Sequence, residues 1–169
     1  MDKFIITEGN ADTIILITIG FKKNFEKVGT LGEVINRLAK IPTNELGIGF
    51  VDNDKNSKGK REETEYNEIK KSAHFGTLVL KYKPKTKNYL IRHPNLEKWL
   101  VEMANDLGID KAKYGVSDLM TNPNRYKKQE VLKNEGFRNF INALANKPNS
   151  PLQTVKIWIE ELKKEYGVF

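Results

Sequence analysis

The chain has 169 residues, a formal net charge of +7 and no cysteine. This length suffices for one domain with a sizeable core, and the lack of cysteine excludes disulfides and thiolate metal sites. The longest apolar run, 13–21, is too short to cross a membrane, and the first residues lack a signal-peptide pattern. We therefore expect a cytoplasmic protein with no membrane partner. The basic charge favours a polyanionic partner, although a composition rich in lysine and asparagine produces such a charge by itself.

Short apolar strands alternate with helices in the first third of the chain. The predicted elements are a strand over 3–7, a helix from 10–12 to about 21, a strand over 25–28, a helix over 31–40 and a strand over 46–51. Thr30 is the predicted N-cap of the second helix, and Pro42 ends it. This order is typical of a mostly parallel sheet with helices on its faces.

The rest of the chain is predicted to add two strands and then helices. Residues 55–71 are highly charged and form either a loop or a loop that leads into a solvated helix ending near Lys71. The elements predicted after it are strands over 75–82 and 88–91, a helix from Asn95 to Gly108, a short helix over 116–120, and helices over 129–144 and 152–166. We thus expect an α/β core over 1–93 and a helical C-terminal extension over 94–169, packed together as a single domain.

Acidic residues follow two of the predicted buried strands. Glu8 follows the first strand, and Asp52 and Asp54 follow the strand over 46–51. If these strands are neighbours in a parallel sheet, the three carboxylates meet at its carboxyl edge, where a hard divalent cation would relieve their repulsion. The alternative is that Asp52, Asn53 and Asp54 simply form a turn. Gly9 allows a tight turn, and the amides around Gly9 and Asn10 would form an anion-binding nest at a helix start.

These motifs resemble those of a known family. The segment 4–12, with Glu8 and Gly9 between a strand and a helix, resembles the first motif of the Toprim domain, and the segment 48–54 resembles its second motif, a strand ending in Asp-x-Asp. The segment 89–100, with Pro94, Leu96, Glu97 and Trp99, is similar to part of the small stand-alone Toprim-related proteins of unknown function.

The resemblance implies a Toprim-like, Rossmann-like fold and a magnesium site. Asp52 and Asp54 would hold Mg²⁺ or Mn²⁺, and Glu8 would serve as general acid or base or as an additional ligand. The implied partner is nucleic acid, with DNA favoured over RNA, and the implied activity is nuclease-like. Two alternatives stay open: a catalytically silent Toprim fold that serves as a binding or regulatory module, and a metal-dependent phosphatase acting on small phosphate esters.

Further polar residues have two interpretations each. Asp12 matches an acidic position of the first motif or is an ordinary helix N-terminal residue, and Glu97 either joins the acidic edge or pairs with a lysine. His93 either faces the acidic edge or is a partly exposed loop histidine, which is the commoner outcome. The basic residues near the acidic edge are candidates for phosphate contacts. Those of the charged segment could instead belong to a solvated loop. The candidates are Lys55, Lys58, Lys60, Arg61 and Arg92.

Overall fold

One mixed sheet of six strands organises the computed structural model, which describes residues 4–21, 25–53, 60–73 and 76–168. The strands are β1 (Ile5–Thr7), β2 (Phe25–Lys27), β3 (Gly47–Asp52), β4 (Asn67–Ser72), β5 (Leu78–Lys83) and β6 (Asn88–His93). Their spatial order is β2-β1-β3-β6-β5-β4. Strands β2, β1, β3 and β6 are parallel, and β5 and β4 are antiparallel additions at one side. The predicted α/β class with a mostly parallel sheet is confirmed.

Seven α-helices accompany the sheet in the described part of the chain. They are α1 (Asn10–Thr18), α2 (Leu31–Leu38), α3 (Lys60–Glu63), α4 (Leu96–Asp106), α5 (Asn124–Lys127), α6 (Glu135–Ala145) and α7 (Pro151–Glu165). The predicted caps of α2 and α4 are confirmed, because the side chains of Thr30 and Asn95 accept hydrogen bonds from the amides of Glu33 and Lys98. None of the described helices is long and apolar enough to cross a membrane.

Helices cover both faces of the sheet, and successive strand residues point to opposite faces. Ile6 packs with Val34 and Leu38 of α2, while the adjacent Ile5 belongs to a larger apolar cluster on the other face. That larger cluster contains buried side chains from α1, α4, α6 and α7 as well as from the sheet. The sheet and the C-terminal helices therefore share one core, and the boundary between residues 93 and 94 stays a prediction.

Gly49 lets helix α2 approach the sheet closely. A Cβ atom at this position would lie 2.5 Å from Leu90 Cδ2 and 2.7 Å from Val34 Cγ1. Real carbon atoms do not approach so closely, so a side chain here would push α2 away from β3. Gly49 thus sets the distance between helix α2 and strand β3, the strand that ends at Asp52.

The charged segment 55–71 was predicted to be a loop, or a loop that leads into a solvated helix, and both interpretations are wrong for its last residues. Residues 67–72 form the edge strand β4, which pairs with β5 and has an irregular register at Ile69. Its side chains are almost all exposed. An edge strand with both faces in solvent carries no apolar alternation, so its backbone pairing could not be recognised from the sequence.

Two predicted C-terminal helices are also corrected. Residues 116–120 form hydrogen-bonded turns, and the helix predicted over 129–144 is divided into a 3-10 turn (Gln129–Lys133) and α6. Asn134 separates the two because its side chain accepts a hydrogen bond from the Phe137 amide at 2.9 Å. A Cβ atom at Gly136 would lie 2.3 Å from the Tyr114 carbonyl oxygen, so the 3-10 turn over Lys111–Tyr114 packs directly on this break.

Candidate active site

Two of the predicted acidic residues lie side by side at the carboxyl edge of the sheet. Strands β1 and β3 are parallel neighbours with Thr7 opposite Phe50, as expected, so the residues that follow them emerge together. The backbone amide of Asp52 donates a hydrogen bond to Glu8 Oε2 at 3.1 Å. Asp54, the third predicted carboxylate, lies outside the described residues.

Glu8 and Asp52 line a pocket of about 320 Å³. Two more carboxylates, Asp12 and Glu97, line the same pocket, and both are less than a tenth exposed. For Glu97 the placement corresponds to the acidic-edge interpretation. The pocket therefore gathers four carboxylates from the end of β3, from the residue after β1, and from α1 and α4, at the edge where open α/β sheets bind their ligands.

The start of α1 brings Asp12 into the pocket. Gly9 is the N-cap and offers no side chain, and a Cβ atom on it would lie 2.7 Å from Asp12 Oδ2. Gly9 and Asn10 both line the pocket, but the Asn10 side chain donates its own hydrogen bond to the Lys127 carbonyl at 2.9 Å. Asn10 therefore ties α1 to α5.

His93 is fully buried behind Asp12. Its Nε2 lies 2.7 Å from Asp12 Oδ1, and its Nδ1 lies 2.8 Å from the Pro94 carbonyl oxygen. The ring is stacked on Trp99 with centroids 5.5 Å apart. The interpretation as a partly exposed loop histidine is wrong, because β6 continues through His93 and its side chain is fully buried. Burial by itself lowers the pKa of His93, but the ion pair with Asp12 and the charge of Asp52 outweigh it and raise the pKa.

Burial also raises the pKa of both central carboxyl groups. For Glu8, the charges of Asp12 and Asp52 add to the effect of burial, and the hydrogen bond from the Asp52 amide partly opposes it. For Asp52, burial is opposed by His93 and reinforced by Asp12 and Glu97. All three titratable groups thus retain protons to higher pH than usual, which means that the pocket favours added positive charge.

The residues present suit a hard divalent cation. Asp52 Oδ1 is buried and has no hydrogen-bond partner among the described residues, so this oxygen could serve as a ligand without giving up a hydrogen bond to them. Mg²⁺ is commonly held by one or two carboxylates together with water and substrate phosphates. Within the described ranges no three acidic or histidine side chains form a preassembled metal cage, and Asp54 lies outside those ranges. Asp52 therefore fits an open magnesium or manganese site.

Arg92 lies outside the pocket, so it is not placed to bind a phosphate there. Its guanidinium is buried and Nη1 lies 2.6 Å from both carboxylate oxygens of Glu63. It does not line the pocket. The sequence prediction counted Arg92 among the phosphate-binding residues, but it missed Glu63, a buried acid that neutralises this arginine.

The remaining predicted basic residues contribute no side chains to the described site. Lys55 and Lys58 lie outside the described residues, and only the backbones of Lys60 and Arg61, at the start of α3, lie within them.

Three pocket residues with polar side chains were not predicted. Lys27 and Lys127 line the pocket together with Tyr126. Lys27 ends β2, the parallel neighbour of β1, so its position at the carboxyl edge was accessible from the strand pattern. Lys127 and Tyr126 had no such signal, since α5 lies far along the chain from α1 and meets it only in the folded structure.

The chain is thus an α/β protein with a Rossmann-like sheet and an acidic pocket at the carboxyl ends of its parallel strands. Comparison with known protein families, with characterised proteins and with solved structures finds no significant match.

Proposed function

We propose that this chain is a magnesium-dependent, Toprim-like protein that acts on the phosphodiesters of nucleic acid, with nuclease-like hydrolysis as its reaction. The observation that carries the proposal is the pairing of Glu8 and Asp52 at the strand ends, with Asp52 Oδ1 buried and without a hydrogen-bond partner in the part of the chain that the structure describes. The resemblance of segments 4–12 and 48–54 to the two Toprim motifs adds to this support.

Each residue has a defined task in this proposal. Asp52 would hold the divalent cation together with Asp54, which lies outside the described residues, and the cation would stabilise the charge that develops on the phosphodiester oxygens. Glu8 holds or moves a proton at the attacking or leaving oxygen, and the raised pKa of its carboxyl suits that task. Lys27 and Lys127 attract the phosphate backbone to the rim of the pocket.

A second candidate is hydrolysis of small phosphate esters at the same metal site. The size of the pocket favours it, because about 320 Å³ lies in the range of small-molecule sites. The burial of Arg92 also favours the hydrolysis of small esters, because this arginine does not contribute to a basic surface beside the carboxylates that could bind a nucleic acid.

The test compares metal binding and hydrolysis in matched variants. Mg²⁺ and Mn²⁺ are titrated calorimetrically into the wild type, Asp52→Asn and Asp106→Asn, whose aspartate is exposed at the end of α4. We expect Asp52→Asn to weaken binding by at least about tenfold, because it removes a direct ligand charge. Asp106→Asn should bind like the wild type. Nicking of plasmid, single-stranded DNA and RNA, and hydrolysis of p-nitrophenyl phosphate, are measured in parallel.

Each outcome selects one function. Metal-dependent nicking that is lost in Asp52→Asn supports the nuclease-like activity, and ester hydrolysis without nicking supports the second candidate. Metal binding without turnover of any of these substrates would point to a silent Toprim-fold binding module. The absence of saturable metal binding by the wild type would overturn the proposal and leave Asp52 as a strand end with no metal-binding role.

A further inference from the structure

A buried group of charges lies next to Asp52 but outside the pocket. Glu63 of α3 accepts hydrogen bonds from Arg92 Nη1, with both oxygens at 2.6 Å, and from Lys81 Nζ at 2.7 Å. The side chains of Arg92 and Glu63 are each less than a tenth exposed, whereas that of Lys81 is about a fifth exposed. Buried charges need such mutual compensation, so these three side chains form one unit.

The guanidinium of Arg92 also reaches the end of β3. Its Nη2 donates a hydrogen bond to the backbone carbonyl of Asp52 at 3.3 Å. Strands β3 and β6 are parallel neighbours in which Val51 lies opposite Arg92 and Asp52 opposite His93. One side chain of β6 therefore contacts both the last residue of β3 and the helix α3 that follows it in the chain.

We propose that Arg92 is a positioning residue that fixes the backbone of Asp52 at the mouth of the pocket. Glu63 holds one part of the guanidinium, so the remaining Nη2 is directed at the Asp52 carbonyl and restrains the carboxylate attached to the same residue. An arginine is required because its planar group has several donors in fixed directions, whereas a lysine has a single ammonium group. The inference deepens the proposed function and rests on it in one respect, the assignment of Asp52 as a metal ligand.

Two variants separate positioning from general stability. Arg92→Lys keeps a positive charge beside Glu63 but loses the hydrogen bond from Nη2 to the Asp52 carbonyl. Lys81→Met is the matched control, because it removes the other cation of Glu63 and leaves the bond between Arg92 and Asp52 in place. Glu63→Gln is a second test variant, which keeps the shape of the side chain and removes the charge that holds the guanidinium.

The first readout needs no metal. Amide hydrogen exchange is followed for Asp52, whose amide bonds to Glu8, and for Asn53, whose amide bonds to the His93 carbonyl. The Ile48 amide, which bonds to the Phe4 carbonyl inside the sheet, serves as the internal reference. We expect Arg92→Lys to speed exchange at Asp52 and Asn53 by about tenfold or more relative to Ile48, and Lys81→Met to leave this ratio unchanged.

The second readout is the Mn²⁺ dissociation constant of the folded variants, measured by calorimetry. It should rise about tenfold or more in Arg92→Lys and stay near the wild-type value in Lys81→Met. If Arg92→Lys does not fold, Glu63→Gln is measured in its place, with the same expected direction in both readouts.

Wild-type exchange ratios in a folded Arg92→Lys protein would overturn the inference, as would equal changes in Arg92→Lys and Lys81→Met. If the wild type binds no Mn²⁺, the proposed function fails, while the exchange ratios still decide whether Arg92 positions Asp52.

Discussion

Four carboxylates share the pocket, and their charges set its chemistry at the scale of single residues. His93 is paired with Asp12, while Glu8 and Asp52 have raised carboxyl pKa values because of burial and neighbouring acids. Folding therefore brings negative charges together at a cost in stability, which a proton or a divalent cation relieves. Such a cost is typical of functional sites, where substitution of a functional residue often makes the folded state more stable.

The cost at Glu8 predicts a stabilising substitution. The folded-state pKa of Glu8 lies above its ordinary value of 4.5, so ionised Glu8 destabilises the folded state at neutral pH, and this effect disappears as the pH falls below 4.5. We expect Glu8→Gln to raise the free energy of unfolding of the metal-free protein by about 1 kcal/mol at neutral pH, since glutamine still accepts the bond from the Asp52 amide. At about pH 4 the gain in stability should largely vanish, because the Glu8 carboxyl of the wild type is then mostly protonated in both the folded and the unfolded state.

Urea unfolding at the two pH values measures this difference. Glu130→Gln, in the exposed part of the 3-10 turn before α6, is the control and should change stability little at either pH. A Glu8→Gln protein that is less stable than the wild type at neutral pH would contradict the electrostatic explanation.

At the scale of elements, local signals located most helices and strands. The N-caps Thr30 and Asn95 and the apolar strands β1, β3 and β6 were predictable, because capping bonds and continuous burial depend on residues close in sequence. Strand β4 was not, because an exposed edge strand is defined by its partner β5 and not by its own side chains. The break before α6 also escaped, since apolar spacing continues across it.

The break before α6 predicts a measurable capping energy. The Asn134 side chain accepts a hydrogen bond from the Phe137 amide, so Asn134→Ala leaves this amide without its cap. We expect the free energy of unfolding to fall by about 1 kcal/mol. Asn142→Ala, an exposed site within the same helix, is the control and should be neutral or slightly stabilising, because alanine has the higher helix propensity. Chemical denaturation compares the two, and equal effects would argue against the cap.

At the scale of the whole molecule, the C-terminal helices complete the core on one face of the sheet. Phe137 and Phe140 of α6 are fully buried in the cluster that also contains Ile5 and Phe50 of the sheet. Helix α5 of the same C-terminal part brings Tyr126 and Lys127 to the pocket. The carboxyl edge of the sheet and the C-terminal part are therefore expected to unfold together.

Truncation of one C-terminal core residue tests this coupling. We expect Phe140→Ala to lower the free energy of unfolding by about 3–5 kcal/mol, the usual cost of removing a buried phenyl ring. Tryptophan fluorescence, from Trp99 in α4 and Trp158 in α7, and far-ultraviolet circular dichroism should report one shared transition in the wild type and the variant. Ile157→Ala, at a half-exposed position of α7, should cost far less. Two separate transitions would show that the two parts fold independently.

The sequence by itself determined the α/β class, the strand ends that carry Glu8 and Asp52, and the helix start at Gly9. These features follow from short-range rules, since burial periodicity and turn chemistry are read within a few residues. They were enough to indicate an acidic site at the carboxyl edge of the sheet.

Only the tertiary structure decided which polar groups face that site. It buried His93 behind Asp12, paired Arg92 with Glu63, and brought Lys127 of α5 to the pocket. Each of these contacts joins residues that are distant in sequence. The direction of a side chain at a strand end depends on the charged residues of the neighbouring elements. These residues are distant in sequence, so a local pattern cannot predict them.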